Sequence, residues 1–389
     1  MKINFPGIEN HFAYYFLKSK YLEINSKPKG TGTPHVNPEL LWNYIFPIAP
    51  LPEQRAIVSK IEQLFSDLDN GIENFKKAQA QLKLYRQSVL KAACEGKLVP
   101  TEAELARVGG RDYEAADVLL ARILKERREK WNGKGKYKEP DAPDTNGLPE
   151  LPDGWYWATF EQVSNRVTVG HVGPMKDEYI GYGIPFLRSQ NVRENKFDTD
   201  GLKYISQEFH EKLKKSSLQP GDLVVVRSGS VGVACVIPET LIEANCSDLV
   251  IVKQPLAIHP QFGAFYMNSI AESRINAKKV GVALTHFNTK SMAEMPIPVP
   301  PLMEQRRIVE EVERRLSVSD KMEETITESL QKAKALRQSI LKKAFEGKLL
   351  NKRELEKARN ASDWEPAEKL LERIKAEKMH IKTTNKDKK

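Results

Sequence analysis

The sequence predicts a mixed α/β (α+β) protein: one globular domain of short strands and helices, and two long helices joined along apolar seams. Three observations carry this reading. The segment from Leu51 to Leu98 returns without a gap at Leu302 to Leu349, at a constant offset of 251 residues, so that Glu53-Gln54-Arg55 matches Glu304-Gln305-Arg306 and Arg86-Gln87-Ser88 matches Arg337-Gln338-Ser339. Glu95-Gly96-Lys97 and Glu346-Gly347-Lys348 close the two copies in the same register. Apolar residues recur every seven positions inside the first copy, and between the copies the texture changes to short β-branched runs broken by turn residues.

Each copy reads as a long helix. Pro52 stands where a first turn tolerates it, Glu53 places negative charge at the helix start, and Gly96 supplies a stop after Lys91. Ile61, Leu68, Phe75, Leu82 and Val89 recur at seven, and Leu64, Gly71, Ala78, Tyr85 and Ala92 are expected on the interleaved seam positions. Roughly 40 residues at 1.5 Å each make a rod of ~60 Å. The second copy offers Val312, Met322, Ile326, Leu330, Ala333, Leu336 and Ile340, with Ser319 and Lys343 expected to interrupt its heptad. A lone seam leaves a strip of apolar side chains in water, so the economical partner of each rod is the other copy.

The offset extends beyond the rods. Upstream, Ala13-Tyr14-Tyr15 faces Ala264-Phe265-Tyr266, and Gly30, His35 and Asn37 face Gly281, His286 and Asn288. Residues 1–50 therefore read as the closing part of a first domain, shortened at its N-terminus. Downstream, Asp112-Tyr113-Glu114 matches Asp363-Trp364-Glu365, ahead of a short amphipathic helix in each copy. Gly, Lys, Pro and Asp between Trp131 and Pro152 mark a linker. The expected parts are 1–50, a first spacer helix at 51–98, a short helix and linker at 99–147, a complete globular domain at 148–300, a second spacer helix at 301–350, and a short helix with a basic tail at 351–389. Within the domain, strands are expected at Ile184–Leu187, Leu223–Val226, Val231–Ile237 and Leu249–Val252, and helices at Phe160–Asn165, Gln207–Lys214 and Gln261–Lys278.

A chain of 389 residues with a formal charge of +9 and a pI near 9.1 has room for several folding units and suits a polyanionic partner, since Lys and Arg on phosphates release condensed counterions. The runs Lys125–Lys130 and Lys378–Lys389 hold part of that charge; solvated surface is an alternative reading of both and the favoured one for the terminal run. No apolar run is long enough for a membrane span, the N-terminus does not read as a secretory signal, and Cys94, Cys235 and Cys246 form no paired spacing. A reducing, cytoplasmic setting without a membrane is expected.

Catalytic motifs are missing. There is no Walker phosphate loop, no G-x-G-x-x-G after a strand, no N-P-P-[FY] pattern of amino-methylating enzymes, and the seven histidines lack metal-ligand spacing. What the domain offers instead is forked and planar polar side chains on loops that follow strands. Arg188, Ser189, Gln190, Asn191 and Arg193 form one such group; Arg227, Ser228 and Ser230 form another; Thr285, His286, Asn288 and Lys290 form a third. Arg suits guanine O6 and N7, Asn and Gln suit adenine N6 and N7, and Ser suits phosphate. Taken alone, each loop is better explained by ordinary turn and capping chemistry, and only three such loops together in one basic chain bring the DNA-reading alternative level with it.

These residues resemble the specificity subunit of type I restriction-modification systems. The likeness rests on Pro50-Leu51-Pro52-Glu53-Gln54-Arg55 and its counterpart at 301–306, on the Arg-Gln-Ser and Glu-Gly-Lys-Leu endings of both rods, on Leu151-Pro152-Asp153-Gly154-Trp155, on Gly221-Asp222-Leu223-Val224 with Arg227-Ser228-Gly229, and on Pro296 to Pro300. It implies a target-recognition domain reading half of a bipartite sequence in double-stranded DNA, with the two long helices pairing antiparallel as a coiled coil. It further implies that these helices dock modification (methyltransferase) subunits through Glu53, Gln54, Arg55, Arg86, Gln87, Glu304, Gln305, Arg306, Arg337 and Gln338. On this plan the chain is non-catalytic and holds no cofactor or metal, S-adenosylmethionine belongs to the modification subunit, and a restriction (translocase and nuclease) subunit joins through the complex. Lys196 and Lys203 are expected on phosphates. With its first domain shortened, the chain is expected to associate with a second copy or a complementing fragment, or to be inactive. A specificity module of a type II methyltransferase-nuclease and a coiled-coil protein-binding scaffold are the alternative readings.

Overall fold

The computed structural model describes residues 7–26, 39, 41, 43–133, 135–271 and 288–386. In chain order the helices run α1 (Asn10–Ser19), α2 (Tyr21–Ser26), α3 (Leu51–Cys94), α4 (Glu102–Gly109), α5 (Ala116–Glu129), α6 (Gln207–Lys212), α7 (Pro260–Tyr266), α8 (Thr289–Ala293), α9 (Leu302–Phe345), α10 (Lys352–Arg359) and α11 (Ala367–Lys386). Both long helices have 44 residues and pack together, as the repeat predicts. Each ends at a left-handed glycine, Gly96 or Gly347, after which Lys97 or Lys348 donates its backbone N–H five residues back.

Residues 1–81 with 322–389 form one compact unit. Here Phe12 and Phe16 of α1 meet Phe46 and Phe345, and Phe12 also joins Ile57, Val58, Ile61 and Phe65 of α3 and Ile340, Leu341 and Ala344 of α9 in one core. Arg337 pairs with Asp69 while its guanidinium lies 5.2 Å over the Phe65 ring. Asp69 thus lies against Arg337, while Lys60, nearer the start of α3, pairs with Glu354 just beyond the end of α9, so the helices run antiparallel.

Residues Leu82–Lys321 form the other unit. Val89, Leu90 and Ala93 of α3 pack with Ile308, Val309 and Val312 of α9, again antiparallel, and Arg86 donates to Ser319 at 3.2 Å and Asp320 at 2.5 Å. Asp320 and Arg337 stand 251 residues after Asp69 and Arg86. One bridge is therefore built twice, once in each unit.

The start of each long helix repeats another contact. Gln54 accepts from Glu9 N at 2.9 Å and donates to Ala49 O at 2.8 Å and Gly7 O at 3.1 Å. Gln305 accepts from His259 N at 2.5 Å and donates to Pro300 O at 2.8 Å and Ala257 O at 3.0 Å. Both amides are fully buried, and each ties the segment entering a long helix to the N-cap of the shorter helix beside it, where Glu9 or His259 accepts from the first turn.

The strands of the second unit are β1 (Tyr156–Thr159), β2 (Ser164–Val169), β3 (Tyr179–Ile180), β4 (Ile184–Leu187), β5 (Val192–Arg193), β6 (Lys196–Phe197), β7 (Lys203–Ile205), β8 (Ser217–Leu218), β9 (Leu223–Val226), β10 (Ala234–Val236), β11 (Ala244–Cys246), β12 (Leu249–Pro255) and β13 (Pro296–Val299). An antiparallel sheet runs β10-β9-β12-β2, and a mixed one runs β3-β7-β4-β11-β8 with only β4 and β11 parallel. Leu223, Val225, Val250 and Val252 face Leu119 and Leu120 of α5 and Ala264 and Tyr266 of α7, whereas Val224, Val226, Leu249 and Ile251 face Leu187, Leu218 and Cys246. Burial on both faces is why β9 and the first half of β12 read as unbroken apolar runs. Asp222, also fully buried, closes the turn before β9 by accepting from Gln219 N, Gln254 N and Lys253 Nζ. The domain's ends meet in β1 and β13, and the ladder of β13 is one-sided, which tolerates Pro296 and Pro298.

Four expectations change. Phe160–Val163 is a single turn closed by reciprocal Thr159 and Gln162 bonds, and Ser164–Val169 is a strand, because the β-branched run pairs with β12. Val231–Ile237 shrinks to β10, since Val231 and Gly232 belong to the turn that follows β9. At the interleaved positions of α3, Phe65 and Ala93 are buried one residue after Leu64 and Ala92 and Tyr85 is 42% exposed, while Leu64 packs against the same core as Phe65. In α9, Ser319 lies inside the seam at 1% exposure because Arg86 satisfies its hydroxyl, while Met322 and Leu336 face outward. The helix expected at Gln261–Lys278 is α7 with a π turn through Ala271; the rest of it, like Gly30, His35, Asn37 and Gly281, lies outside the described residues.

Replacing Gln305 by Ala leaves two buried carbonyls and one buried N–H without partners, and a loss of about 1–3 kcal/mol for each unpaired group sets the scale. Denaturant titration of Gln305→Ala and Gln54→Ala, followed by helical circular dichroism, is expected to show both variants unfolding at lower denaturant than the parent chain.

Candidate nucleic-acid interface

The antiparallel register of β2, β9 and β12 places Val169, Val226 and Leu249 at one end of their sheet, and the parallel pairing of β4 with β11 brings Leu187 and Cys246 to that same end. Backbone bonds fasten the loops that leave these strands. His171 N donates to Cys246 O at 2.8 Å, Asp248 N to His171 O at 3.0 Å, and Ser247 N to Leu187 O at 2.9 Å. Gly170 is required here, since a Cβ would lie 2.8 Å from Cys246 O. The result is one edge that gathers His171, Arg188, Arg227, Ser228, Ser247 and Asp248 from four loops.

Arg188 opens the first loop. Its side chain is partly exposed and one Nη donates to Gly201 O at 2.6 Å. Ser189–Asn191 forms a 3-10 turn with Ser189 partly exposed and Gln190 exposed. Asn191 is fully buried, accepting from Arg188 N at 3.0 Å and donating to Asp198 O and Asp200 O. Expected to read a base, Asn191 instead holds the loop, because its amide has no donor or acceptor facing outward. Arg193 pairs with Asp198 at 3.1 Å across the β5–β6 hairpin, and the Asp200 backbone N–H together with Arg193 holds the Asp198 carboxyl below the usual carboxylate range. Lys196 is exposed on the same hairpin, and the exposed Lys203 ammonium sits 5.9 Å from the Tyr179 ring centroid.

Arg227 opens the second loop and lies 3.3 Å from Asp248, whose other carboxylate oxygen is 3.4 Å from Ser228 Oγ. Asp248 has a φ of 28°, a conformation non-glycine residues rarely adopt. Ser230 is exposed in the same turn. The third expected loop stands apart. Asn288 caps α8, accepting from Ser291 N at 2.8 Å, and Lys290 pairs with Glu294; Ala293 at the end of α8 and Met295 just beyond it accept from Glu161 N and Phe160 N, which precede β2 rather than follow it. Thr285 and His286 lie outside the described residues. His171, Ser247 and Asp248 carry no signal in the sequence, because each is a single polar residue beyond a strand.

The polar positions expected to face a partner divide in two. Gln54, Glu304 and Gln305 are fully buried, so their role is internal. Glu304 accepts from Trp155 Nε1 at 2.9 Å and Glu102 N at 2.7 Å, and burial pushes its carboxyl above the usual range. Glu53 meets Trp364 and Arg359, and Arg86 and Arg337 form the paired bridges. Arg55 pairs with Asp363 while remaining half exposed, Arg306 and Gln87 are exposed, and Gln338 is partly so. Among the described residues no group of His, Cys, Asp and Glu is placed to hold a metal, and no helix is long and apolar enough to cross a membrane.

The strands and short helices thus make a mixed α/β domain joined to the pair of long helices. The model for the type I restriction modification DNA specificity domain matches residues 2–79 and 172–332, and the chain belongs to that family. It is similar to the type I restriction enzyme EcoBI specificity subunit of Escherichia coli, 26% identical over 373 residues covering 94% of this chain and 71% of that protein. The EcoKI specificity subunit of Escherichia coli strain K12 is 26% identical over 393 residues, covering 97% of this chain and 73% of that one. Among solved structures, a chain from a study of complex assembly and conformational transition of the type I R-M system covers 90% of this chain and 74% of its own length, with a TM-score of 0.62 and 21% identity. The HsdS subunit from Thermoanaerobacter tengcongensis covers 88% and 71%, with a TM-score of 0.50 and 21% identity. These two share the fold.

Cys94, Cys235 and Cys246 are all buried free thiols, and burial pushes Cys94 and Cys235 up to about 12 and Cys246 upward as well. Thiol titration with a chromogenic disulfide at neutral pH is expected to find no reactive cysteine in the folded chain and all three once it is denatured.

Proposed function

We propose that this chain is the non-catalytic, sequence-reading subunit of a type I restriction-modification complex. Its edge reads one part of a double-stranded DNA target, and its paired helices seat modification subunits. The observation that carries the reading is the convergence of Arg188 and Arg227 on one edge, each a forked donor held by loop contacts and still partly exposed. Such donors suit guanine O6 and N7 in the major groove, while Ser189, Ser228, Lys196 and Lys203 suit phosphate oxygens. Asn288 and Lys290, away from the edge, suit backbone contact only. Arg55, Gln87, Arg306 and Gln338 remain accessible on the helices for modification subunits. Those subunits supply S-adenosylmethionine and the methyl transfer, and a restriction subunit joins through the assembled complex.

Binding to duplex DNA, measured with modification subunits present, is expected to weaken linearly in log K against log salt, with a slope of about −0.9 per phosphate neutralised. A flat salt response or no retention on DNA counts against the reading. Arg188→Ala is expected to relax the methylated sequence at one base pair, by roughly 1–3 kcal/mol of discrimination, with assembly onto modification subunits unchanged. An unchanged motif methylated at an unchanged rate removes Arg188 from the reading set.

A further inference from the structure

We infer that Arg227 and Asp248 act as one unit that reads a single G·C base pair, the arginine donating to guanine and the carboxylate accepting from the paired cytosine; this rests on the proposed DNA-reading role of the edge. Across the major groove a G·C pair presents acceptor, acceptor, donor, from guanine N7 and O6 and cytosine N4. An Arg fork beside a carboxylate presents donor, donor, acceptor, which matches at all three places. An A·T pair presents acceptor, donor, acceptor, so the same two side chains meet a like group at two of the three. Rejection then comes from unpaired polar groups as well as from lost bonds.

The geometry favours such a unit over an ordinary surface ion pair. Asp248 lies on a turn tied to the ends of β2 and β4 by three backbone bonds, in a left-handed conformation that this anchoring has to hold. Its carboxylate is the more open partner, with 37% of the side chain exposed against 20% for Arg227, so the acceptor stands out beside the donor. The contact between them is loose at 3.3 Å, and Ser228 Oγ lies 3.4 Å from the other carboxylate oxygen. Arg227 Nε is buried and turned inward, which leaves recognition to its outer nitrogens. A carboxylate facing phosphate-rich DNA is unfavourable for binding of any sequence. Its presence at this edge is accounted for when it meets a base donor.

The test uses the full chain assembled with its modification subunits, with the methylated motif determined by sequencing total DNA exposed to each complex. Asp248→Asn preserves size and tolerance of the left-handed backbone but can donate as well as accept, and Asp248→Gly removes the side chain without backbone strain. The parent motif is expected to require G·C at one position where Asp248→Asn also accepts A·T, discrimination there falling roughly 10-fold to 100-fold. Every other position and the melting temperature are expected to stay unchanged, and Asp248→Gly is expected to relax the same position. The inference is overturned if both variants keep the parent motif, if the relaxed position is A·T in the parent, or if only the melting temperature moves. A parent complex that selects no motif overturns the DNA-reading proposal itself, and this inference with it.

Discussion

Everything else in the molecule depends on the antiparallel pairing of two helices of equal length and related sequence. A 44-residue helix with one apolar seam has no stable existence in water by itself, since propensity alone does not offset exposure of the strip. Antiparallel pairing of the two copies sets the beginning of one beside the end of the other. The same contacts must then arise twice, and they do: Arg86 with Asp320 and Asp69 with Arg337, Gln54 and Gln305 at the helix starts, Gly96 and Gly347 at the stops.

Polar residues at buried positions give this pairing its register. Ser319 within the seam, satisfied by Arg86, is worth less in stability than a leucine at that position, but it disfavours slipped alignments, where it would be buried without a partner. Gln54 and Gln305 act similarly at a different joint. An amide that accepts one N–H and donates to two carbonyls tolerates only one path of the chain into the helix. In the unit of Leu82–Lys321 the Trp155 indole, bonded to Glu304 and packed against Phe262 and Val89, fixes the start of the β domain to the helices in the same exact-fit manner.

The β domain separates structure from recognition by the direction its side chains face. β9 and the first half of β12 are apolar on both faces, Asp222 and Asn191 turn their polar groups inward to close loops, and Asn245 does the same from within β11 by accepting from Ser216. Arg188, Arg227 and Asp248 lie just beyond strand ends, where the backbone is held by neighbouring strands while the side chain reaches solvent. Rigid support with an open outer face is what discrimination between base pairs requires, since a mobile fork gives up much of its selectivity as ordering entropy.

The sequence by itself determined the duplication, the two long helices, their stops and the mixed domain between them, because those signals are periodic or repeated and accumulate over many residues. It also located the two arginine loops, each announced by an apolar run ending in a polar turn. The tertiary structure decided which polar residues look outward. Asn191, Gln54, Glu304 and Gln305 read as contact residues and are buried, while Asp248, inconspicuous in sequence, stands beside Arg227 only because β9 and β12 pair in one register. Likewise Phe65 and Ala93 of α3 are buried more deeply than the expected Leu64 and Ala92, and Phe160–Val163 turns instead of coiling, because the choice between neighbouring positions belongs to the partner across the contact, which local sequence does not contain.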